Sequence, residues 1–305
     1  MTSKYYDLMF RVGCNKICSA WNKAVARQMN KKYPIWLQKH RSEMGVNTTA
    51  RKDKIVISLT TFPPRFDKVH LTIECMLHQT IRPDKVVLWL CEDECKNVRL
   101  PETITGLCQY GLEIRYAKEN LKPHNKFIYS ALEYKDSVII TVDDDIIYDH
   151  RMVETLLKGY KMHSDCVICN MAHEIVLGKD GKPDTYDRWH GGAIEKTGPS
   201  FALVALGVGG VLYPPNIFDD VYFNMELIKK VALTADDLWL KYNEVRLGVR
   251  VYKVHAQAKN PVTISKSQAV SLTSINNGNG RNNAVIKALN NFFSLDWKRL
   301  FEEEQ

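Results

Sequence analysis

The chain has 305 residues, enough for one large or two small domains with a real core. Its 45% hydrophobic and 25% charged content is ordinary for a soluble globular protein. The longest apolar run, Phe201 to Tyr213, is too short to span a bilayer and holds three glycines. A net charge of +7 and a pI near 8.8 suit an anionic ligand, a nucleotide or an acidic membrane surface, without choosing among them.

Residues 1 to about 50 differ from the rest. Leu8, Met9, Val12, Ile17, Trp21, Ala24, Val25 and Met29 recur at helical spacing, and Arg11, Lys16, Lys23, Arg27, Lys31 and Lys32 fill the other face. Such a basic amphipathic segment either lies on an anionic membrane or packs on the following domain with its basic face in water. The N-terminus lacks the uninterrupted apolar core of a secretory signal. The eight cysteines form no regular framework, so they are expected as free thiols in a reducing, cytoplasmic setting. In that setting the sequon Asn47-Thr48-Thr49 carries no meaning.

From residue 51 onward strands alternate with helices. Lys54–Thr61 is a β-branched strand ended by the turn Phe62-Pro63-Pro64-Arg65. Val69–Leu77 has helical periodicity, Lys85–Leu90 is a second strand and Leu112–Tyr116 a shorter third. Asn125–Leu132 is a helix that feeds the strand Val138–Val142. Arg151–Met162 and Cys166–Asn170 continue the alternation. Residues 178 to 200 form a long polar loop around Trp189-His190-Gly191-Gly192, and Gly207, Gly209 and Gly210 permit close backbone approach. A helix begins near Leu233 with Thr234 as its expected N-cap. Val249–Val254 is a strand, followed by His255. A loop-rich tail starts at about residue 257 and precedes a short helix around Ala284–Phe293. The pattern predicts an α/β fold with a mostly parallel sheet and helices on both faces.

The densest chemistry is Asp143-Asp144-Asp145. An apolar strand buried on both faces delivers three mutually repelling carboxylates, and ligands of open α/β sheets bind beyond such strand ends. A hard divalent ion together with phosphate oxygens gives a reason for them. If strand alternation continues through the triplet, Asp143 and Asp145 share one side and Asp144 points elsewhere. Asp236-Asp237 is a second acidic pair, at a helix start where the helix dipole alone would account for it. A metal at the first cluster would neutralise a diphosphate leaving group, and a carboxylate of the pair would deprotonate an acceptor hydroxyl.

Ile57-Ser-Leu-Thr-Thr-Phe-Pro-Pro-Arg65, the Asp-x-Asp within Val138–Tyr148, and Ala235-Asp-Asp-Leu-Trp239 follow one another in an order that resembles GT-A fold glycosyltransferases. The likeness is to family-2-like enzymes of bacterial capsule and lipopolysaccharide surface-glycan assembly. It covers residues 54 to about 256, with an echo at 276–283. It implies a GT-A (Rossmann-like) domain over 51–305 behind a helical segment 1–50. It also implies an inverting transfer from a nucleotide-diphosphate sugar, usually a UDP-sugar, with Mn²⁺ or Mg²⁺. The acceptor would be a surface glycan or lipid-linked glycan at the cytosolic face of the inner membrane, and no nucleic acid would take part.

Carried over residue by residue, Thr60, Thr61, Arg65, Lys126, Asp143 and Asp144 contact the donor. Asp143, Asp145 and His255 hold the metal, and Asp237, with Asp236 beside it, supplies the base. Trp189, His190, Gly209 and Gly210 are candidates for the acceptor side. Two features depart from the family: the opening is Leu-Thr-Thr-Phe-Pro-Pro, and Lys122-Pro-His-Asn-Lys126 replaces a glycine-rich turn. A sugar-nucleotide pyrophosphorylase would need a glycine-rich loop after the first strand, which Thr60–Arg65 lacks. A haloacid-dehalogenase-type phosphatase would place its Asp-x-Asp early in its domain. A non-catalytic glycan- or anion-binding module leaves the three acids unexplained.

Overall fold

A computed structural model of the protein describes residues 19–40, 44–191, 195–255, 261–265, 267 and 280–304. The chain opens with α1 (Ser19–Lys39), β1 (Ile55–Thr61), α2 (Val69–Leu77), β2 (Lys85–Cys91) and the single-turn helices α3 (Glu92–Cys95) and α4 (Glu102–Thr105). β3 (Leu112–Ala117), α5 (Asn125–Glu133), β4 (Val138–Thr141), β5 (Ile146–Ile147), α6 (Met152–Met162) and β6 (Val167–Cys169) follow. Next come β7 (Ala172–Glu174), β8 (Leu203–Ala205), β9 (Val211–Tyr213), α7 (Met225–Val231) and α8 (Asp236–Arg246). β10 (Val251–Lys253), β11 (Val262–Thr263), α9 (Arg281–Phe293) and α10 (Trp297–Glu302) end the series.

Seven strands form one sheet in the order β10, β6, β9, β4, β1, β2, β3. β1 lies parallel to both β2 and β4, with Ile57 opposite Val86 on one side and Ile140 on the other. β2–β3 and β6–β10 are also parallel, and β9 runs antiparallel to its neighbours β4 and β6. The sheet is therefore mostly parallel and flanked by helices, as the strand–helix alternation predicts.

Period-two side-chain alternation splits the apolar residues of each strand between two layers. Ile57, Leu88 and Ile140 pack with Ile73 of α2, Leu156 of α6 and Tyr33 of α1. Val56, Val87 and Ile139 pack with Phe127 of α5, Trp239 of α8, Leu289 of α9 and Trp297 of α10. The central strands are buried along nearly their whole length, which is why they are continuous runs of Val, Ile and Leu.

Several expectations change. Helix α1 buries Val25, Met29, Tyr33 and Leu37 against the domain, touching α2 and β11. Residues 1–18 lie outside the described residues, as does most of the stretch from 256 to 279. The glycine-bearing stretch Leu206–Gly210 is framed by the short strands β8 and β9. The N-cap of α8 is Ala235, without a side-chain cap bond, and not Thr234. Among the described residues no helix is long and apolar enough to cross a membrane.

Candidate active site

Strand β4 stops at Thr141, and the chain turns through Asp143-Asp144-Asp145 before β5. Alternation therefore does not continue through the triplet. Asp144 and Asp145 share one partner while Asp143 takes another. Arg65, placed by the Pro63–Arg65 turn after β1, pairs with Asp144 through Nη1, and its Nη2 lies 3.3 Å from Asp145 Oδ2. The Thr61 hydroxyl also donates to Asp144. Thr60 turns its hydroxyl to the Trp89 carbonyl, 2.9 Å away on β2.

Asp143 faces Lys126 instead. The Lys126 Nζ is 2.7 Å from Asp143 Oδ1 and 2.9 Å from Asp236 Oδ2, so one buried ammonium joins the two acidic motifs. Its backbone is fixed by β1: the Ser58 hydroxyl donates to the Lys126 carbonyl, Ser130 Oγ donates to Ser58 Oγ at 2.8 Å, and Trp89 Nε1 donates to Ser130 Oγ at 2.7 Å. Asp237 accepts from the Gly207 amide at 3.2 Å. The Tyr148 hydroxyl accepts from the Asp143 amide at 2.9 Å and sits 3.5 Å from the Gly207 carbonyl. A Cβ on Gly207 would lie 2.8 Å from Lys126 Nζ, 3.3 Å from Asp143 Oδ1 and 3.4 Å from Asp237 Oδ1. Glycine is therefore the residue that lets the two acidic motifs approach one lysine.

The electrostatics follow from burial and from these pairings. Burial raises the Asp144 carboxyl and pushes Asp145 up to about 6, against the pull of Arg65. Burial and the neighbouring charge of Asp236 hold Asp237 well above the usual carboxylate range. Asp236 is equally buried, yet Lys126, His124 and its hydrogen bonds together outweigh that and keep it low. Burial pulls the Lys126 pKa down, but Asp143, Asp236 and Asp237 together hold it well above the ordinary lysine value. His124, two residues before Lys126, is buried and shifted down, and its Nε2 meets the Ala232 carbonyl at 2.9 Å.

Thr60, Thr61, Arg65, Lys126, Gly207 and both acidic motifs line one cleft of about 690 Å³ that also includes Phe62, Lys122, His173, Tyr186 and Arg281. That volume lies within the roughly 300–1,000 Å³ of small-molecule and cofactor sites. The structure thus brings Thr60, Thr61, Arg65, Lys126, Asp143, Asp144, Asp145, Asp236 and Asp237 together. Five other residues singled out from the sequence lie elsewhere. Trp189 is buried with its indole donating to the Asp184 carbonyl at 3.0 Å, and Tyr186, its ring tilted against the indole, faces the cleft instead. His190 is exposed and pairs its backbone with Glu174. Gly209 packs on Met171, and Gly210, at φ +81°, packs on Met152. His255 borders a separate cavity of about 60 Å³ beside Met171 and Gly209; it follows β10, three strand positions from β4 across the sheet. Sequence reasoning missed His124, Tyr148 and Tyr186. Of the three glycines expected to permit close backbone approach, Gly207 is the one at the cleft.

A divalent ion fits this chemistry. Asp143, Asp144, Asp145 and Asp236 meet two cations, Arg65 and Lys126, which leaves negative charge for an ion to offset. Among the described residues no three His, Cys, Asp or Glu side chains form a ready cage. Mg²⁺ and Mn²⁺ do not need one when substrate phosphates and water complete the shell. Asp143, whose side chain is 31% exposed, and Asp145 would be the residues to hold it.

No protein-family model matches the chain. No curated protein matches it either. Among solved structures it is similar to CMP:2-keto-3-deoxy-manno-octonic acid synthetase complexed with CTP, at 13% identity and a TM-score of 0.38, over 68% of this chain and 91% of that one. It is also similar to the mannosyltransferase PcManGT from Pyrobaculum calidifontis in complex with GDP-Man and Mn²⁺. That match has 11% identity and a TM-score of 0.42, over 76% of this chain and 64% of that one.

Proposed function

We propose that the protein is a metal-dependent glycosyltransferase of the GT-A type. It would move a sugar from a nucleotide-diphosphate donor, preferentially a UDP-sugar, to a hydroxyl of a surface-glycan or lipid-linked acceptor. The observation that carries this reading is the convergence of two acidic motifs on one lysine. Lys126 Nζ bridges Asp143 at 2.7 Å and Asp236 at 2.9 Å inside a cleft of nucleotide-sugar size. An acidic turn and a dipole-favoured helix start, taken separately, give no reason for that meeting.

The residues divide the work by charge. Asp143 and Asp145 would hold Mn²⁺ or Mg²⁺, which when bound offsets the charge of the diphosphate leaving group. Arg65 and Thr61 pin Asp144, so the turn carrying the triplet keeps its shape. Lys126 presents a fixed positive charge beside the place where the diphosphate departs. Asp237 takes the proton of the acceptor hydroxyl as its oxygen bonds to the anomeric carbon and the nucleoside diphosphate leaves with the bonding pair. A raised proton affinity suits a base working near neutral pH. Asp236 holds Lys126 and is not free to serve that role. One base and one displacement make the reaction inverting.

The test is a thermal-shift panel of UDP-, GDP-, CMP- and dTDP-sugars with and without Mn²⁺. A ligand that binds only the native state raises its melting temperature by mass action. Stabilisation by one nucleotide class, only with metal, is expected. Silence from every donor would leave the cleft as an anion- or glycan-binding site without transfer.

A further inference from the structure

We propose that the solvent face of α1 is a docking surface for an anionic lipid bilayer, and that it holds the cleft beside that surface. The helix has two rows at four-residue spacing. Val25, Met29, Tyr33 and Leu37 form the row consumed by the domain core. Lys23, Arg27, Lys31, Ile35 and Lys39 form the other, all exposed, with Lys32 at its flank. The rows are offset by two residues, about 200° around the axis at 100° per residue, so they lie on opposite sides. The whole of Ser19–Lys39 contains no Asp or Glu. Among the described residues none of these cations pairs with a carboxylate.

A solvated basic face does not require an isoleucine in the middle of its row. Ile35 is 54% exposed, one turn from both Lys31 and Lys39. Cations around a protruding apolar side chain match lipid headgroups over a hydrocarbon edge. Because the apolar row is already buried in the domain, attachment is by charge and not by insertion of the helix. A nucleic acid is the poorer match. The row is mostly lysine, which lacks the forked donors of arginine, and Trp36 is already stacked between Tyr33 and His40.

The helix is also tied to the cleft. Asn30 donates to the Thr263 carbonyl at 3.0 Å and accepts from the Ser265 amide at 2.7 Å. Thr263 lines the cleft, and between these two residues the Ile264 amide donates to the Asp145 carbonyl at 2.8 Å. A bilayer seated on α1 therefore lies one connection away from the acidic turn, where a lipid-linked substrate would have to arrive.

The full chain should sediment with phosphatidylcholine vesicles containing about one third phosphatidylglycerol, not with phosphatidylcholine alone, and salt should release it. Each basic residue near an anionic surface is worth roughly fivefold in partitioning. Changing Lys23, Arg27, Lys31 and Lys32 together to Gln should thus lower partitioning by roughly a hundredfold or more. The melting temperature and the metal-dependent donor shift should not move. Lys31→Glu and Ile35→Ser, milder for the fold, should each weaken it measurably. Failure of the wild-type chain to bind anionic vesicles at low salt overturns the proposal. So does retention by the four-site variant, which would shift the site to residues 1–18, or displacement of the vesicles by duplex DNA.

Discussion

Burial lifts the Asp145 carboxyl to about 6 even with Arg65 3.3 Å away, and this has consequences for stability as well as binding. The folded protein holds a proton on Asp145 that the unfolded chain releases near 4. That contribution to stability is present at low pH and is lost as pH rises from about 4 to about 6. A shift of about two units at 1.36 kcal/mol each bounds the effect at roughly 3 kcal/mol. In metal-free protein near pH 8, Asp145→Asn should therefore raise the melting temperature by a few degrees, while removing the metal-dependent donor shift. A lower melting temperature would mean that the charged side chain is a net stabilising partner of Arg65. For the wild type, metal-dependent donor binding should weaken as pH falls through about 6, where the carboxylate takes up its proton. At the neighbouring acidic pair the two positions should separate. Asp237→Asn should keep donor binding and lose turnover. Asp236→Asn should unpair Lys126 and weaken donor binding as well. The reverse pattern would assign the base to Asp236.

Between β8 and β9 the segment Leu206–Gly210 does for the cleft what no side chain does, since Gly207 leaves room for Lys126, Asp143 and Asp237 to meet. Gly207→Ala places a methyl 2.8 Å from the Lys126 ammonium, which cannot swing away without leaving Asp143 or Asp236. Turnover should fall at least tenfold, with donor binding weakened, in steady-state assays. Gly106→Ala is the control: a Cβ there meets nothing within 4 Å, and that variant should behave as wild type. Unchanged kinetics in Gly207→Ala would show that Lys126 need not stay in place. This segment also marks where the sequence stops being legible. Long β-branched runs such as Ile55–Thr61 announce their strands, and the acidic triplet announces its strand end. A three-residue strand such as Leu203–Ala205 shows no period, and its neighbours define it. Alternation placed Asp143 with Asp145, but it ceased one residue after Thr141. The tryptophan drew notice in the 178–200 loop because it is large and aromatic. That size is what buries Trp189 and leaves Tyr186 on the cleft wall.

Across the whole molecule, the acidic turn sits between two packed layers, and each layer brings one half of the site. The layer of α5 and α8 supplies Lys126, Asp236 and Asp237. On the other side, α1 braces the Val262–Ser265 segment that is bonded to Asp145. Its amphipathic pattern was legible, but the sequence could not say what its apolar row meets, because a packing partner leaves no local trace. Since Tyr33 and Leu37 join the core of β1, β2 and α2, the helix should melt with the domain and not ahead of it. Leu37 is 1% exposed, and truncating such a leucine costs roughly 2–5 kcal/mol. Leu37→Ala should therefore lower a single cooperative calorimetric transition. It should also weaken metal-dependent donor binding, since loosening α1 releases the Asn30 bonds to the cleft wall. An early, separate transition with the main melt and donor binding unchanged would make α1 an appendage. The Asn30 link to Asp145 would then carry no energy.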